Sequence, residues 1–153
     1  MNDGRIPRDR MGLSELDQLP TEHVAIGLVF QCDRILVSLR KRESFLGGLW
    51  EFPGGKRQSG ESYAHCVVRE VKEETGLDVK VVSELFPVRY DYIGRRVVLR
   101  PYECAVVLGE ASAIQSDEVR WVCVSELSGL CMPEANREII RRLESGEYRS
   151  QSD

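Results

Sequence analysis

Apolar residues recur at two different periods along this chain. Between Tyr63 and Thr75 they are Ala64, Val67, Val68 and Val71, the i, i+3, i+4, i+7 spacing of an amphipathic helix. Ser62 suits the N-cap of that helix, and Gly76 suits the left-handed residue that ends it. Upstream, Val24, Ile26, Leu28 and Phe30 alternate with other residues, which predicts a strand over 24–30. Gln31-Cys32-Asp33 then reads as a turn and 34–39 as a second strand, together a hairpin. After the helix, 78–82 and 85–90 read as strand segments and Ile93-Gly94-Arg95 as a turn. A long strand over 97–108 is interrupted at Pro101, where an edge or a bulge is expected because proline cannot donate to a ladder. Stretches 44–48 and 109–115 read as loops. Pro133-Glu134-Ala135-Asn136 opens a last helix with an Ile139, Ile140, Leu143 stripe. Strands around one central helix, with another closing the chain, predict an α/β fold: a mixed sheet sandwiched between helices.

The chain has 153 residues, enough for one domain with a substantial core. A polar arm is expected over 1–21, the folded domain over 22–146 and a disordered polar tail over 147–153. No apolar run is long enough to span a membrane, and the N-terminus lacks the apolar segment of a signal peptide. The five cysteines are scattered without a C-x-x-C pair, as reduced thiols would be, so a cytoplasmic protein is expected. Cys66 falls between apolar positions of the helix and reads as structural. The formal net charge is −4, without a Lys/Arg-rich run, which argues against polymeric nucleic acid as a partner. A small anionic substrate is still compatible with that charge, and a monomer or homodimer is expected.

The chemistry concentrates on the central helix. Glu70, Glu73 and Glu74 lie three and four residues apart, hence on one helical face, where like charges repel. A divalent cation among them relieves the repulsion. Carboxylates without Cys or His select a hard metal, so Mg²⁺ or Mn²⁺ is implied and zinc is not. Just before the helix, Phe52-Pro53-Gly54-Gly55-Lys56 offers two glycines that let backbone approach a phosphate or metal. A glycine turn leading into an acidic helix reads as a metal–phosphate site.

The run from Gly55 through Glu61, Arg69-Glu70, Glu73-Glu74 and Gly76-Leu77 fits G-x5-E-x7-R-E-U-x-E-E-x-G-U at every fixed position, U being aliphatic. This is the signature of the Nudix hydrolase family, which the chain resembles over about 24–143. The Leu49-Trp50-Glu51-Phe52-Pro53-Gly54-Gly55-Lys56 run is similar to the MutT-like branch. The resemblance implies the family's α/β/α fold and a pyrophosphohydrolase in which water attacks phosphorus while metal ions neutralise the phosphates. It implies Glu73 and Glu74 as main metal ligands, Glu70 and Glu61 assisting as ligand or base, and the Gly55 carbonyl as a further ligand. Arg69 is implied to hold a glutamate by a two-pronged salt bridge, Lys56 to contact phosphate, and Arg40 to lie close to the bound nucleotide. Phe52 is implied either to stack on a base or to be a core aromatic. Glu118, with Asp117 the alternative, resembles the acid that in MutT-like enzymes adds a ligand or general base from outside the helix. Its other reading is a loop acid capping a strand, and the base is left between Glu70 and Glu118. Asn136 resembles the asparagine whose amide reads a purine edge, although Glu134 is inserted between Pro133 and Ala135-Asn136; a helix cap is the other reading.

The resemblance implies a nucleoside triphosphate as substrate, with 8-oxo-dGTP favoured and nucleotide-pool sanitation as the role. ADP-ribose, a dinucleoside polyphosphate or CTP is the alternative. A non-catalytic nucleotide-binding module is disfavoured by the complete set of box acids.

Overall fold

The computed structural model describes residues 18–148. The elements in chain order are β1 (Thr21–Gln31), β2 (Arg34–Leu39), β3 (Trp50–Glu51), β4 (Gly54–Gly55), α1 (Tyr63–Thr75), β5 (Asp78–Glu84), β6 (Val88–Tyr92), β7 (Arg95–Leu108), β8 (Glu118–Cys123), a 3₁₀ turn (Val124–Gly129) and α2 (Ala135–Glu144). The strands form one mixed sheet in the order β3-β2-β1-β7-β5, with β4 on β1, β6 on β7 and β8 on β2. Among the described residues its only parallel pair is β1 with β7, from Thr21 opposite Arg96 to Phe30 opposite Ala105.

Alternation in β1 splits the core into two. Ala25 and Val29 face α1, where they pack with Val67 and Val71, Leu77, Val79, Tyr102 and Cys104. Ile26, Leu28 and Phe30 face α2 and meet Ile139, Ile140 and Leu143. Each fully buried Val or Leu removes apolar surface worth about 1.5–3 kcal/mol from water, so the two helices are held chiefly by these faces. The α/β/α sandwich is therefore the observed architecture.

The β1–β2 hairpin closes through Cys32 (φ 48) and Asp33 (φ 64), the paired positive φ of a type I′ connection. Ser62 Oγ accepts from the His65 N–H at 3.1 Å, and Gly76 ends α1 at φ 80. All cysteines of the described residues are free, with Cys66 and Cys104 buried.

The structure differs from expectation at three places. Pro101 sits neither on an edge nor in a break: β7 runs unbroken through it, with Ile26 opposite on β1. On its other side β5 hands over to β6, and the Pro101 carbonyl accepts from the Leu85 N–H at 3.0 Å. The missing donor falls at that gap, where no partner strand needs it. Segment 85–90 becomes a strand only from Val88, because Leu85 to Pro87 spans the same gap. At the C-terminus, Tyr148 belongs to the core at 4% exposure rather than to a disordered tail. Its hydroxyl donates to the Phe86 carbonyl and meets Arg142 Nη1 at 2.6 Å. Of the expected arm, residues 1–17 lie outside the described residues, and Thr21 to His23 already belong to β1. The tail beyond Tyr148 also lies outside them.

Candidate active site

Arg69 is the hub of the acidic helix. Its Nε donates to Glu61 Oε2 at 2.7 Å and its Nη2 to Glu61 Oε1 at 2.9 Å, a two-pronged pair of the expected kind. Its Nη1 reaches Glu70 at 2.9 Å and Glu73 at 3.2 Å, and Nη2 also donates to the Lys56 carbonyl at 3.3 Å. These bonds hold the Glu61 carboxyl well down, at about 2, chiefly through Arg69. Carboxylates likewise push the Arg69 guanidinium up, the Glu61 bond most. Burial raises Glu70 against the opposing pull of Arg69.

Glu74 lies on the other side of the box. It lines the cleft and accepts from the Gly54 N–H at 2.9 Å. Burial pushes its carboxyl up to about 8, with Glu51, Glu70 and Glu73 adding to the rise and the Gly54 N–H opposing it. β4 is pressed onto this helix: a Cβ on Gly55 would stand 2.6 Å from the Glu70 carboxyl carbon, so any side chain there must displace that carboxyl. The Gly55 carbonyl faces α1, within 3.6 Å of Cys66 Sγ.

The donor chemistry fits a hard divalent cation. Glu70, Glu73, Glu74 and the Gly55 carbonyl offer oxygen only, and Glu74 is a half-buried carboxylate among other acids. Among the described residues, however, no three acidic, His or Cys side chains already converge at ligating distance. The physical reason is Arg69, which draws Glu61, Glu70 and Glu73 onto its own guanidinium.

The box opens onto a cleft of about 400 Å³, within the range of small-ligand sites. Its lining brings together Arg40, Phe52, Gly54, Gly55, Lys56, Glu74 and Asn136, which lie far apart in sequence. Arg40 Nη1 pairs with Glu51 at 3.0 Å, and Lys56 with Glu22 at 2.8 Å. The Lys56 bond, helped by Arg95, holds the Glu22 carboxyl below its usual range. Phe52 is both core and lining: it is buried in the α2-side cluster and still contributes to the cleft wall.

Asn136 is 7% exposed and is the second residue of α2, so it is not the cap. The helix instead receives Tyr92, whose hydroxyl accepts from the Ala135 N–H at 3.2 Å.

Glu118 is not brought to the box. Arg120 grips its carboxylate at 2.8 and 3.1 Å on the exposed side of β8, and it does not line the cleft. The alternative acid, Asp117, accepts from the Arg42 N–H at 3.1 Å. From outside the helix it is Glu51 and Gln115 that share a small cavity with Glu74. Sequence reading missed Glu51, Phe45, Tyr92 and Arg95 as cleft residues. For Glu51 a signal existed, an acid inside the Trp50–Phe52 run. Phe45 and Arg95, 5.9 Å from guanidinium carbon to ring centre, carried none.

Fold and site thus define a class: an α/β/α domain that sets an acidic helix and a glycine turn at one end of a nucleotide-sized cleft. The chain belongs to the NUDIX domain family, whose profile matches residues 25–142. Within that family it is a MutT-like hydrolase, a pyrophosphohydrolase acting on phosphoric anhydride bonds. It is 36% identical over 80 residues to an 8-oxo-dGTP diphosphatase of Proteus vulgaris, covering 50% of this chain and 70% of the relative. It is 28% identical over 103 residues to a CTP pyrophosphohydrolase of Escherichia coli, covering 67% and 76%. The crystal structure of a MutT protein from Methanosarcina mazei superposes with a TM-score of 0.74 at 24% identity, covering 85% of this chain and 97% of that one.

Proposed function

We propose that this protein is a Mg²⁺-dependent nucleoside triphosphate pyrophosphohydrolase. It converts an oxidised purine triphosphate, 8-oxo-dGTP being the favoured substrate, and water to the monophosphate and pyrophosphate, and so sanitises the nucleotide pool. The observation that carries this reading is the cleft itself, whose wall combines Gly54, Gly55, Lys56 and Glu74 with Asn136 of α2.

The chain's own residues divide the work. Gly55, Glu73 and Glu74 hold the cation, and Glu61 acts through Arg69, which fixes the orientation of the box acids. A bound Mg²⁺ or Mn²⁺ supplies neutralisation of the phosphates and of the leaving group. Glu70, packed under Gly55, is favoured over Glu118 as the base that takes a proton from the attacking water, because Glu118 is held away by Arg120. Lys56 and Arg40 bind phosphate oxygens, Phe52 borders the base, and Asn136 reads the purine edge with one donor pair and one acceptor.

A panel of 8-oxo-dGTP, dGTP, CTP, ADP-ribose and a dinucleoside polyphosphate, scored for pyrophosphate against phosphate release with Mg²⁺, tests the reading. Expected is the highest kcat/KM for 8-oxo-dGTP, and a loss of its preference over dGTP in Asn136→Ala, mainly through KM. No preference for 8-oxo-dGTP in the wild type overturns the substrate assignment. A preference for CTP would instead favour the second reading, which the similarity to the CTP pyrophosphohydrolase supports. Glu74→Gln tests the cation site separately. It is expected to lower kcat about 100-fold or more without lowering Tm, since a neutral amide suits that half-buried position.

A further inference from the structure

Arg40 makes two side-chain bonds that point in different directions. Nη1 pairs with Glu51 on β3 at 3.0 Å, and Nε donates to the Phe45 carbonyl, also at 3.0 Å. The second bond reaches the far end of the 41–48 connection between β2 and β3. The backbone of Arg40 closes the base of the same loop: its N–H donates to the Leu49 carbonyl at 3.0 Å, and its carbonyl accepts from Gly48 at 3.1 Å. Inside the loop Leu46 adopts φ 59, a left-handed conformation that a bulky residue keeps only where its surroundings impose it. Phe45 stands 71% exposed at the mouth of the cleft. Asp117 ties the near side of the loop through the Arg42 N–H, and Ser44 bonds back to Lys41. The tip is tied by Arg40.

Glu51 is the fixed end of this chain of contacts. It pairs in register with Ser38 through β3, its side chain lines the cleft, and burial raises its carboxyl in spite of Arg40. A partly buried carboxylate beside Glu74 is unfavourable by itself, because the two charges repel and both are partly desolvated. Its pairing with Arg40 gives the position a physical reason.

We infer that Glu51 is a positioning residue: it anchors Arg40, and through the Arg40–Phe45 bond it latches the 41–48 loop, with Phe45, over the cleft. The substrate part of this inference rests on the proposed binding role of Arg40; the latch itself does not. The Arg40 guanidinium spends two of its five N–H donors on protein acceptors, so its remaining donors can hold a phosphate while the latch stays closed. The same cation therefore links phosphate binding to the loop that borders the cleft.

The experiment has one readout without nucleotide and one with it. Without nucleotide, native-state trypsin cleavage after Lys41 or Arg42, both exposed, reports opening of the loop. Glu51→Ala is expected to speed that cleavage about fivefold or more, and Glu51→Gln, whose amide oxygen still accepts from Arg40, to keep it slow. With the triphosphate that the wild type turns over fastest, Glu51→Ala is expected to raise KM about tenfold and change kcat less than about threefold. In Arg40→Ala, a further Glu51→Ala is expected to add nothing to either readout, as for two residues acting through one contact. Unchanged cleavage in Glu51→Ala overturns the latch whatever the substrate proves to be. A fall in kcat at unchanged KM, or additive effects in the double variant, overturns the positioning role and places Glu51 with the cation site. If Glu51→Ala does not fold, Arg40→Ala breaks the same contact from the other side, and slow cleavage there overturns the latch equally. A changed substrate preference in the panel, with loop protection still lost in Glu51→Ala, would remove the substrate assignment and leave the latch standing.

Discussion

Arg69 holds three box carboxylates with one guanidinium, and only that side chain has the shape to do so. Its planar fork takes both oxygens of Glu61 while Nη1 serves Glu70 and Glu73. A lysine ammonium is a point charge without a fork and cannot reproduce this set. Arg69→Lys is therefore expected to lower kcat about tenfold or more while KM for the nucleotide changes little. Steady-state kinetics together with a melting curve check it; a change confined to Tm would make Arg69 purely structural. At the same scale, Glu118 has a partner that its residue type does not announce. An acid preceding a Trp strand fits the family pattern, yet its carboxylate is committed to Arg120, which lies 4.6 Å over the Trp50 ring.

At the level of elements, the site depends on how closely β4 meets α1. Two glycines make β4, paired to Ala25 and Ile26 of β1, and the Glu70 carboxyl occupies the space that a Cβ on Gly55 would need. Gly55→Ala must push Glu70 or the strand aside and is expected to lower kcat about tenfold or more. Gly129→Ala, at a position open to solvent without positive φ, is the matched control and is expected to leave kcat near that of the wild type. Equal kinetics for the two variants would refute the close-contact account. The helix itself was legible beforehand, because its period and both caps are local properties of 62–76. Strands β3 and β4 were not, since two residues each carry no period and exist only through their partners, β2 and β1.

At the scale of the whole molecule, the C-terminal helix is fastened to the sheet by an ionic and hydroxyl cluster. Arg142 meets Glu138 at 3.1 Å, the Phe86 carbonyl at 3.2 Å and Tyr148, and Arg141 meets Glu138 at 2.7 Å. Arg141 first, then Arg142, holds the Glu138 carboxyl down at about 2, against an ordinary 4.5. A depressed carboxyl stabilises the fold above its unfolded value, and the contribution is lost as pH falls toward the folded value. The Tm advantage of the wild type over Glu138→Gln is thus expected to be full above pH 4.5 and to vanish as pH approaches 2. The cluster is partly exposed, so the advantage should be small and should shrink further in high salt. A constant difference across that range would show that the charge is not what Glu138 contributes.

The sequence by itself determined what is local. The α1 period with its Ser62 and Gly76 caps, the β1–β2 hairpin and the spacing of Glu61, Arg69, Glu70, Glu73 and Glu74 all follow from residues close together in one stretch of chain. The box spacing was enough to give the family and its reaction. Tertiary structure decided what needs distant partners. The parallel β1–β7 pair and the β5–β6 hand-over made Pro101 harmless in a continuous strand. The arrival of α2 beside β6 let Tyr92 bond the first turn and left the Asn136 amide facing the cleft rather than capping the helix. Packing drew Tyr148 into the core and put Glu51 between Arg40 and Glu74. Such placements depend on which chain segments, tens of residues apart, come to share one space, and no periodicity within a segment encodes that.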